Sequence, residues 1–437
     1  MNLTVKMLVL MVVCLAVASC RDGNPQRAGK APSSLSEVPA ARLNFRYEPD
    51  VPGPSENNSK AEERNAGVQA DFDQNRPQEV LDKTVSSPDK KHVLAVYHRG
   101  NDLSGDYRLD MYSPPGKLLK KVTADAMAVQ YPDTLVWAPD SSAVAFAAKV
   151  REGQTEAEPT PPNPQIGNPE ANSNESSPSG PAAGNSNSEV DVNKALPAPT
   201  PTSPTGVLVF RTLQLYTCNA EGENTKALTQ NEGLIYFYFV WSPDSSALAA
   251  LAATGREWDL VAHQADSKGE IFTPLGRLRV VEKNGRERRL DDALTAVWPV
   301  WSPDSAKIAG AFETQVRVYD AGGNTPTQAA IPLRNQLLLS SQAYDRDQQQ
   351  KLDANTSPNV DSNAGTATNS NANQASTTTL PDEKSLVSFN PIIELSWTAD
   401  NILYFRTAYV KRMKIEADSR TSFARWHRLI FSYQPAG

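Results

Sequence analysis

One heptapeptide occurs three times in this chain: LVWAPDS at residues 135–141, FVWSPDS at 239–245 and PVWSPDS at 299–305. Weaker copies are VSSPDK at 85–90 and LSWTADN at 395–401. The aspartates of the five copies fall at positions 89, 140, 244, 304 and 400, which leaves gaps of 51, 104, 60 and 96 residues. A motif that recurs at such distances indicates a repeat architecture.

Two low-complexity stretches account for the longer gaps. Residues about 151–205 are rich in Pro, Asn and Ser, and residues about 345–384 are rich in Asn, Ala, Thr and Gln. Neither has an apolar periodicity that could offset the entropy of ordering, so we expect disordered insertions. Subtracting about 55 and about 40 residues for them leaves gaps of roughly 49 and 56, and every gap is then one unit long.

Each copy is followed by the same succession of strand-like segments. An apolar run comes first, such as AVAF at 143–146, then an alternating segment that leads to a glycine, such as LQLY at 213–216, and then a short polar segment, such as KALT at 226–229. Four strands joined by turns, repeated every 40 to 50 residues or so, are typical of a propeller blade. The sequence predicts an all-β chain with a β-propeller of five or six four-stranded blades over residues 79–437.

The motif residues have mechanical roles in this prediction. Proline fixes φ at the second turn position, and the flanking Ser and Asp can bond to nearby backbone N–H groups. The tryptophan is suited to packing between neighbouring blades. We interpret the following residues as fold determinants: Asp89, Trp137, Asp140, Trp241, Asp244, Trp301, Asp304, Trp397 and Asp400.

The Trp-Ser-Pro-Asp turn with its apolar strand, a Leu-x-Leu-Tyr strand and Leu-Thr resembles the WD40-like (PD40) repeat of TolB and related periplasmic propellers. The resemblance covers most of residues 80–437 and implies a TolB-like propeller. It is not complete, because Ser141, Ser245 and Ser305 stand where the family prefers Gly, and because the first copy lacks the Trp. The N-terminal α/β domain of TolB is also absent here, so the partners of TolB are not carried over.

The first 19 residues have the pattern of an export signal. Lys6 precedes an apolar run over residues 7–18, which is too short to span a bilayer as a permanent helix. The tetrad Val-Ala-Ser-Cys at 17–20 resembles the lipobox of bacterial lipoproteins, and this implies lipidation of Cys20 after cleavage. Arg21, rather than Asp, follows the cysteine, which favours the outer membrane by the family's sorting rule. The alternative is an ordinary secretory signal with an incidental cysteine.

Residues 20–78 are rich in Pro, Asn, Ser and Glu and are predicted to be a flexible tether. One exception is the alternating segment at 42–47, which is suited to a single strand. The last unit lacks an outer fourth strand, and an unpaired sheet edge is a liability. We therefore expect an N-terminal strand to close the ring, either the segment at 42–47 or one within 66–82.

Charge and cysteine usage restrict the possible partners. The formal net charge is -7, which argues against a nucleic-acid partner. Cys14 lies in the signal and Cys20 would carry lipid, so Cys218 is the only cysteine left in the propeller. Neither an intramolecular disulfide nor a thiolate metal site is expected, and Cys218 is interpreted as a small buried apolar residue.

The loop insertions of the predicted blades fall on one rim, where propellers present variable loops. They include the long segment at 254–276 and the basic, aromatic segment at 411–427. The candidate binding residues on these two segments are Trp258, Asp259, His263, Lys411, Arg412, Arg425, Trp426 and His427. The alternative is that these insertions are tolerated without any ligand.

No catalytic motif is recognisable in the sequence. The four histidines lack metal-ligand spacing, there is no Gly-x-Ser-x-Gly elbow, and no glycine-rich phosphate loop or cofactor fingerprint occurs. We therefore expect no enzyme, metal or cofactor, but an envelope lipoprotein that binds or scaffolds proteins in the periplasm. The alternative is a carbohydrate- or peptidoglycan-related binder or hydrolase that uses the channel. Three or more convergent acids or histidines in the channel would favour this alternative, and an Arg/aromatic or apolar rim would favour protein binding.

Overall fold

The computed structural model describes residues 34–55, 64–150, 212–323, 326–356 and 380–433. The predicted signal peptide, Cys20 and the insertion at 151–205 lie outside the described residues. Sheet structure begins with β1 (Leu43–Glu48), and a first helix, α1 (Ala66–Asn75), precedes the blades. Over these ranges the fold is an all-β propeller of five antiparallel sheets, each with four strand positions, which confirms the predicted fold class; of the two predicted blade numbers, the described residues form five.

The first three blades follow one another along the chain. The first blade consists of β2 (Glu79–Ser86), β3 (Val93–Arg99), β4 (Arg108–Tyr112) and β5 (Leu118–Lys121). In the second blade the innermost strand is split, and its members are β6 (Met127–Gln130), β7 (Val136–Trp137), β8 (Ala143–Val150), β9 (Gln214–Asn219) and β10 (Lys226–Ala227). The third blade consists of β11 (Leu234–Trp241), β12 (Ala247–Thr254), the helix α2 (Gly255–Ser267), β13 (Gly276–Glu282) and β14 (Glu287–Thr295).

The last two blades are separated by a long helix. The fourth blade consists of β15 (Val300–Trp301), β16 (Lys307–Phe312), β17 (Gln315–Asp320) and β18 (Gln328–Pro332). The helix α3 (Arg334–Thr356) follows, and the fifth blade then contains β19 (Ile392–Ala399), β20 (Ile402–Lys411) and β21 (Arg420–Tyr433). Short 3-10 turns occur at Leu35–Glu37, Ala40–Arg42, Pro132–Thr134, Glu383–Ser385 and Glu416–Asp418.

The N-terminal strand supplies the missing outer strand of the fifth blade. Strand β1 pairs antiparallel with β21, in a register that runs from Leu43 opposite Tyr433 to Glu48 opposite Arg428. Of the two candidate closing segments, the structure therefore selects the one predicted at 42–47. Residues 43–48 and 428–433 are brought together from opposite ends of the sequence, and the free edge of β21 is covered.

The motif turns fix the hairpins between first and second strands. In the third blade the Asp244 carboxylate accepts a hydrogen bond from the Ser242 hydroxyl at 2.6 Å and another from the backbone N–H of Ser246 at 3.1 Å. Ser245 has a φ of 60°, in the left-handed region that favours glycine. A side chain in this left-handed region costs about 1 kcal/mol or more. The serine is therefore retained at a cost, which its hydroxyl offsets through the contact described next.

Two hydrogen bonds are repeated at each of the first three blade junctions. The indole N–H of Trp241 donates to the carbonyl of Val136 in the preceding blade at 3.2 Å, and the Ser245 hydroxyl accepts from the N–H of Asp140 at 3.1 Å. The equivalent tryptophans donate in the same way at the other two junctions, Trp137 to Val85 and Trp301 to Val240. The equivalent serines accept likewise, Ser141 from Asp89 and Ser305 from Asp244. Each motif thus joins its blade to the one before.

Helix α1 lies within the stretch that was predicted to be a flexible tether. Asn65 caps it by accepting a hydrogen bond from the N–H of Val68, and the buried Val68 and Phe72 pack on Leu81 and Tyr97 of the first blade. The covered face is the one turned away from the second blade. The sequence did not reveal this helix because its burial depends on two apolar side chains one turn apart, too few for a periodic pattern.

Helix α3 also differs from the prediction, because its residues 345–356 belong to the stretch that was expected to be disordered. Its first turns bury Leu337 in the apolar cluster between the fourth and fifth blades, and Leu338 and Ser341 are buried as well. The apolar positions are confined to this N-terminal part, while the remainder is polar, so composition alone suggested an insertion. Residues 357–379 of that stretch lie outside the described residues.

Candidate functional site

The elaborated connections of the described blades lie on one face of the propeller. The motif turns lie on one face of the propeller, which we call the turn face. Because the strands are antiparallel, the second-to-third and fourth-to-first connections lie on the opposite face, which we call the rim face. It carries α2 between β12 and β13, the connection between β20 and β21, and α3 between β18 and β19. The connection between β8 and β9, which holds the insertion at 151–205, also starts from this face.

Trp258 is not available to a ligand. It is 7% exposed and contacts the rings of Phe237, Phe272 and Tyr131, with centroids 5.5, 4.7 and 5.9 Å away. A tryptophan in an insertion does not reveal from the sequence which way its helix faces. Its role is to pack α2 onto the third blade, while Asp259 and His263 of the same helix are exposed.

Arg425 is likewise a buried structural residue. Its guanidinium forms a bidentate pair with Asp50 at 2.7 and 2.8 Å, and it donates to the hydroxyls of Ser340 at 3.1 Å and Ser341 at 2.7 Å. It also lies over the ring of Tyr344. Arg425 thereby connects the fifth blade to both the N-terminal segment and α3.

His427 is completely buried beside Arg425. Its Nδ1 lies 2.9 Å from the Tyr47 hydroxyl and its Nε2 lies 3.0 Å from the Thr407 hydroxyl. Burial, and then the charge of Arg425, lower the pKa of His427 to about 3. The ring is therefore neutral at physiological pH and helps to hold β1 on the fifth blade.

The last predicted rim residue on β21, Trp426, is half-buried on the opposite face of the fifth blade. The Arg406 guanidinium lies over its ring, 5.5 Å from the centroid, and Arg406 pairs with Glu394 at 2.7 Å. Gly53 approaches the indole so closely that a Cβ there would lie 2.7 Å from its Nε1. The N-terminal segment therefore covers part of this ring.

The other rim elements form a bridge across the fourth blade, which we call the clasp. It consists of residues 255–271, which are α2 and the segment that follows it, and of residues 408–424, which are the adjoining ends of β20 and β21 and their connection. The N–H of Ile271 donates to the carbonyl of Arg412 at 2.9 Å, the N–H of Lys414 donates to the carbonyl of Gly269 at 3.0 Å, and Lys414 pairs with Asp266. The fourth blade leaves room for it, because only Glu313 and Thr314 connect its second and third strands.

Large apolar side chains are exposed on the elements of the clasp. The third blade contributes two and the fifth blade four: Leu260, Ile271, Tyr409, Val410, Ile415 and Phe423. Ile415, at the tip, is 67% exposed. Phe423 has a φ of 54° at the irregularity where β20 and β21 extend beyond the sheet. The basic residues Lys411, Arg412 and Arg420 lie on the same extension.

Sequence reasoning missed these apolar residues. The strand lengths of the fifth blade could have indicated them. Strand β20 has 10 residues and β21 has 14, whereas β16 and β17 of the fourth blade have six each. Strands that outgrow their sheet must project from it, and side chains on a projecting two-stranded extension are exposed on both faces.

The innermost strands reveal a second group of residues. The motif tryptophans, and Ser86 in the first blade, mark equivalent positions on the innermost strands. In every blade the residue two positions before this point is buried, whereas the residue three positions before it is not. In the pairing with the second strand, Lys83, Tyr238 and Glu394 occupy the same register. Since these strands surround the central axis, we infer that the incompletely buried side chains line the channel. We call them the channel tier: Lys83, Thr134, Tyr238, Trp298 and Glu394.

Neighbouring members of the tier contact each other or the adjacent blade. The rings of Tyr238 and Trp298 stack with centroids 4.5 Å apart and an angle of 14° between planes. Lys83 pairs with Asp133 of the second blade at 2.8 Å. Tyr238 is the more buried of the two rings, and burial raises the pKa of its hydroxyl to about 12. Trp298 is 60% exposed.

The described ranges contain no cluster of three or more His, Cys, Asp or Glu side chains that could hold a metal ion. Cys218 is buried, and burial raises the pKa of its thiol to about 12. Across the same ranges, no helix has both the length and the apolar character needed to cross a bilayer.

The sequence matches no protein-family model, and comparison with curated proteins finds no match either. Similar solved structures include a protein of Agrobacterium tumefaciens assigned as TolB, with 12% identity over 82% of this chain and 91% of that one and a TM-score of 0.31. They also include an oligogalacturonate lyase in complex with manganese, with 13% identity over 58% of this chain and a TM-score of 0.28, and a prolyl endopeptidase, with 11% identity over 68% and a TM-score of 0.32. The chain spans 48% of the length of the lyase and 36% of that of the peptidase.

Proposed function

We propose that this chain is an envelope lipoprotein, anchored through Cys20, that binds a protein partner with the clasp side of its rim face. The observation that carries the proposal is the set of exposed apolar side chains on the clasp. Exposed apolar side chains that are concentrated on one part of a protein surface commonly mark an interaction site. Six such side chains on two bridged elements fit a partner surface of matching shape.

The direction of the N-terminal strand supports this arrangement. Strand β1 starts opposite Tyr433, at the end of β21 that lies on the turn face, and runs toward the rim face. Just before it, the N–H of Ala40 donates to the Asp320 carboxylate at the end of β17, also on the turn face. The described chain therefore enters the propeller on the turn face, and the clasp lies on the opposite face.

The charges around the clasp favour an acidic partner surface with apolar centres. The segment from Lys411 to Arg420 carries four basic and two acidic residues, although the whole chain has a net charge of -7. Lys414 is used within the clasp by Asp266, while Arg412 and Arg420 are exposed. Charge complementarity at the border of an apolar patch increases association rates and selects among partners.

Site-specific photo-cross-linking in the native envelope tests this proposal. A photoreactive residue at position 415 should give one discrete adduct, whereas the same residue at position 119 should give none. Leu119 is the matched control because it is also an exposed apolar residue, but it lies on the outer strand β5, far from the clasp. The Arg412→Glu/Arg420→Glu variant should abolish the adduct at 415. Equal labelling at positions 415 and 119 would contradict a binding role for the clasp.

The anchor requires a separate measurement. Cells given radiolabelled palmitate should incorporate label into the wild-type protein and not into the Cys20→Ser variant. Incorporation that persists in the variant, or that is absent from the wild type, would exclude the lipoprotein part of the proposal while leaving the clasp to be judged by cross-linking.

A further inference from the structure

We infer that the channel tier is a carbohydrate-binding site, at which a pyranose ring of an oligosaccharide stacks on Trp298. The tier contains one acid and no histidine, so the inference rests on aromatic stacking and not on the convergent acids or histidines named above as a sign of a sugar-related function. This site is distinct from the clasp, and its residues belong to the innermost strands rather than to the rim elements. The inference therefore does not depend on the protein partner proposed above.

The first step concerns the exposure of Trp298. One face of the indole is occupied by Tyr238, at a centroid distance of 4.5 Å, yet the residue is 60% exposed. The motif tryptophans of the same two blades, Trp241 and Trp301, are in contrast buried at blade junctions with their N–H groups satisfied. A large flat apolar surface is thus open toward the channel and held rigid by a second ring. Such pre-organised aromatic surfaces lose little conformational freedom when a ligand stacks on them.

The second step concerns what surrounds this surface. The equivalent strand positions of the first and fifth blades hold the half-buried Lys83, paired with Asp133, and Glu394, paired with Arg406. Thr134 completes the tier. A purely apolar ligand would strip water from these groups without replacing its hydrogen bonds, which is unfavourable. A ligand with an apolar face and a polar edge matches both parts of the tier.

Pyranose rings have this character. Their C–H groups form a flat apolar face, and their hydroxyl or acetamido groups project around the edge as donors and acceptors. The face would stack on Trp298, and the edge would reach the charged pairs on the first, second and fifth blades. Ligand sites commonly combine an apolar, aromatic wall with a few well-placed polar groups.

Titration of the intact, lipidated chain with sugars tests the inference. The protein is kept in a detergent without a sugar headgroup and labelled with 15N in its tryptophan indoles. The probes are the β-1,4-linked tetramers of N-acetylglucosamine and of glucose. Saturable movement of the Trp298 indole signal with either tetramer is expected. Trp298→Ala should reduce the affinity measured by calorimetry at least about tenfold, while Trp298→Phe, which keeps a stacking surface, should stay within about threefold.

Two further variants separate the site from a general effect on folding. Glu394→Gln and Lys83→Met alter the polar edge and should each weaken sugar binding without moving the Trp298 signal of the free protein. Leu119→Ala, on an outer strand, should leave binding unchanged. The inference is overturned if neither tetramer moves the Trp298 signal at 10 mM or so, or if Trp298→Ala binds as tightly as the wild type. It is equally overturned if an apolar peptide moves that signal while both sugars fail.

Discussion

The first three junctions between blades differ from those of the fifth blade in how they are held together. The former use one repeated pair of hydrogen bonds, an indole N–H to a carbonyl and a backbone N–H to a serine hydroxyl, supplied by the motif itself. In the fifth blade, Trp397 instead donates to the carbonyl of Asp400 in its own turn, at 3.3 Å. The motif there reads Thr-Ala-Asp-Asn and has lost both its proline and its serine.

The fifth blade is held by residues that are far apart in sequence. Strand β1 covers β21, Asp50 pairs with Arg425, and Tyr47 contacts His427. The first blade packs one of its faces on α1 rather than on another blade. Among the buried apolar clusters of the described residues, none is shared by the first and fifth blades. The difference shows that contacts between residues far apart in sequence hold the fifth blade, where the motif's inter-blade hydrogen bonds are missing.

The largest expected effect comes from breaking the contacts of Arg425 with Asp50, Ser340 and Ser341, which together with the adjacent His427 we call the hub of the fifth blade. Arg425→Ala leaves Asp50 and the buried hydroxyls of Ser340 and Ser341 without their partner, and should lower the free energy of unfolding by about 3 kcal/mol or more. Arg412→Ala, an exposed arginine of the same blade, is the control and should cost less than about 0.5 kcal/mol. Urea denaturation measures both. Equal midpoints for the two variants would refute the hub.

Acid should act on the same hub through His427. The unfolded chain binds a proton with the ordinary pKa of 6.5, and the folded chain only when the pH falls to about 3. The unfolded state therefore binds more protons between these values, so stability is full above pH 6.5 and falls below it by up to about 1.4 kcal/mol per pH unit. His427→Gln should remove this part of the pH dependence. The exposed His263→Gln should keep it, and identical profiles for His427→Gln and the wild type would contradict the assignment.

The sequence predicted the repeating parts of the fold and, among those that occur once, the closing strand at 42–47, but it missed α1 and α3. Five motif copies at blade spacing are a strong signal, because each copy makes its contacts with local or equivalent residues. Arg425, His427 and Trp258 were placed correctly on segments 254–276 and 411–427 but were taken for ligand-facing residues. Whether they point inward depends on Tyr47, Asp50 and Phe272, and no local pattern records such partners. The exposed Ile415 and Phe423 were missed because no local pattern records that their side chains point outward.

A smaller effect is expected from the repeated indole contact. Trp241→Phe retains most of the buried ring but leaves the Val136 carbonyl without its donor, and should cost about 1–2 kcal/mol. Trp397→Phe is the matched change in the fifth blade, where the indole bonds within its own turn, and it should cost less than about 1 kcal/mol. Thermal and urea unfolding of the pair measure the difference. A reversed order would show that the junctions are not held in the way described above.

The smallest effect separates the two consequences of placing serine at a left-handed position that favours glycine. Ser245→Ala removes the acceptor for the Asp140 N–H but keeps a side chain at a φ of 60°, and should cost about 1–2 kcal/mol. Ser245→Gly removes the same acceptor and also relieves the left-handed conformation, which returns about 1 kcal/mol. The glycine variant should therefore be the more stable of the two and close to the wild type. If both variants lost equal stability, the backbone strain would be negligible; if neither lost any, the inter-blade hydrogen bond would contribute nothing, and serine at this position would have no energetic role.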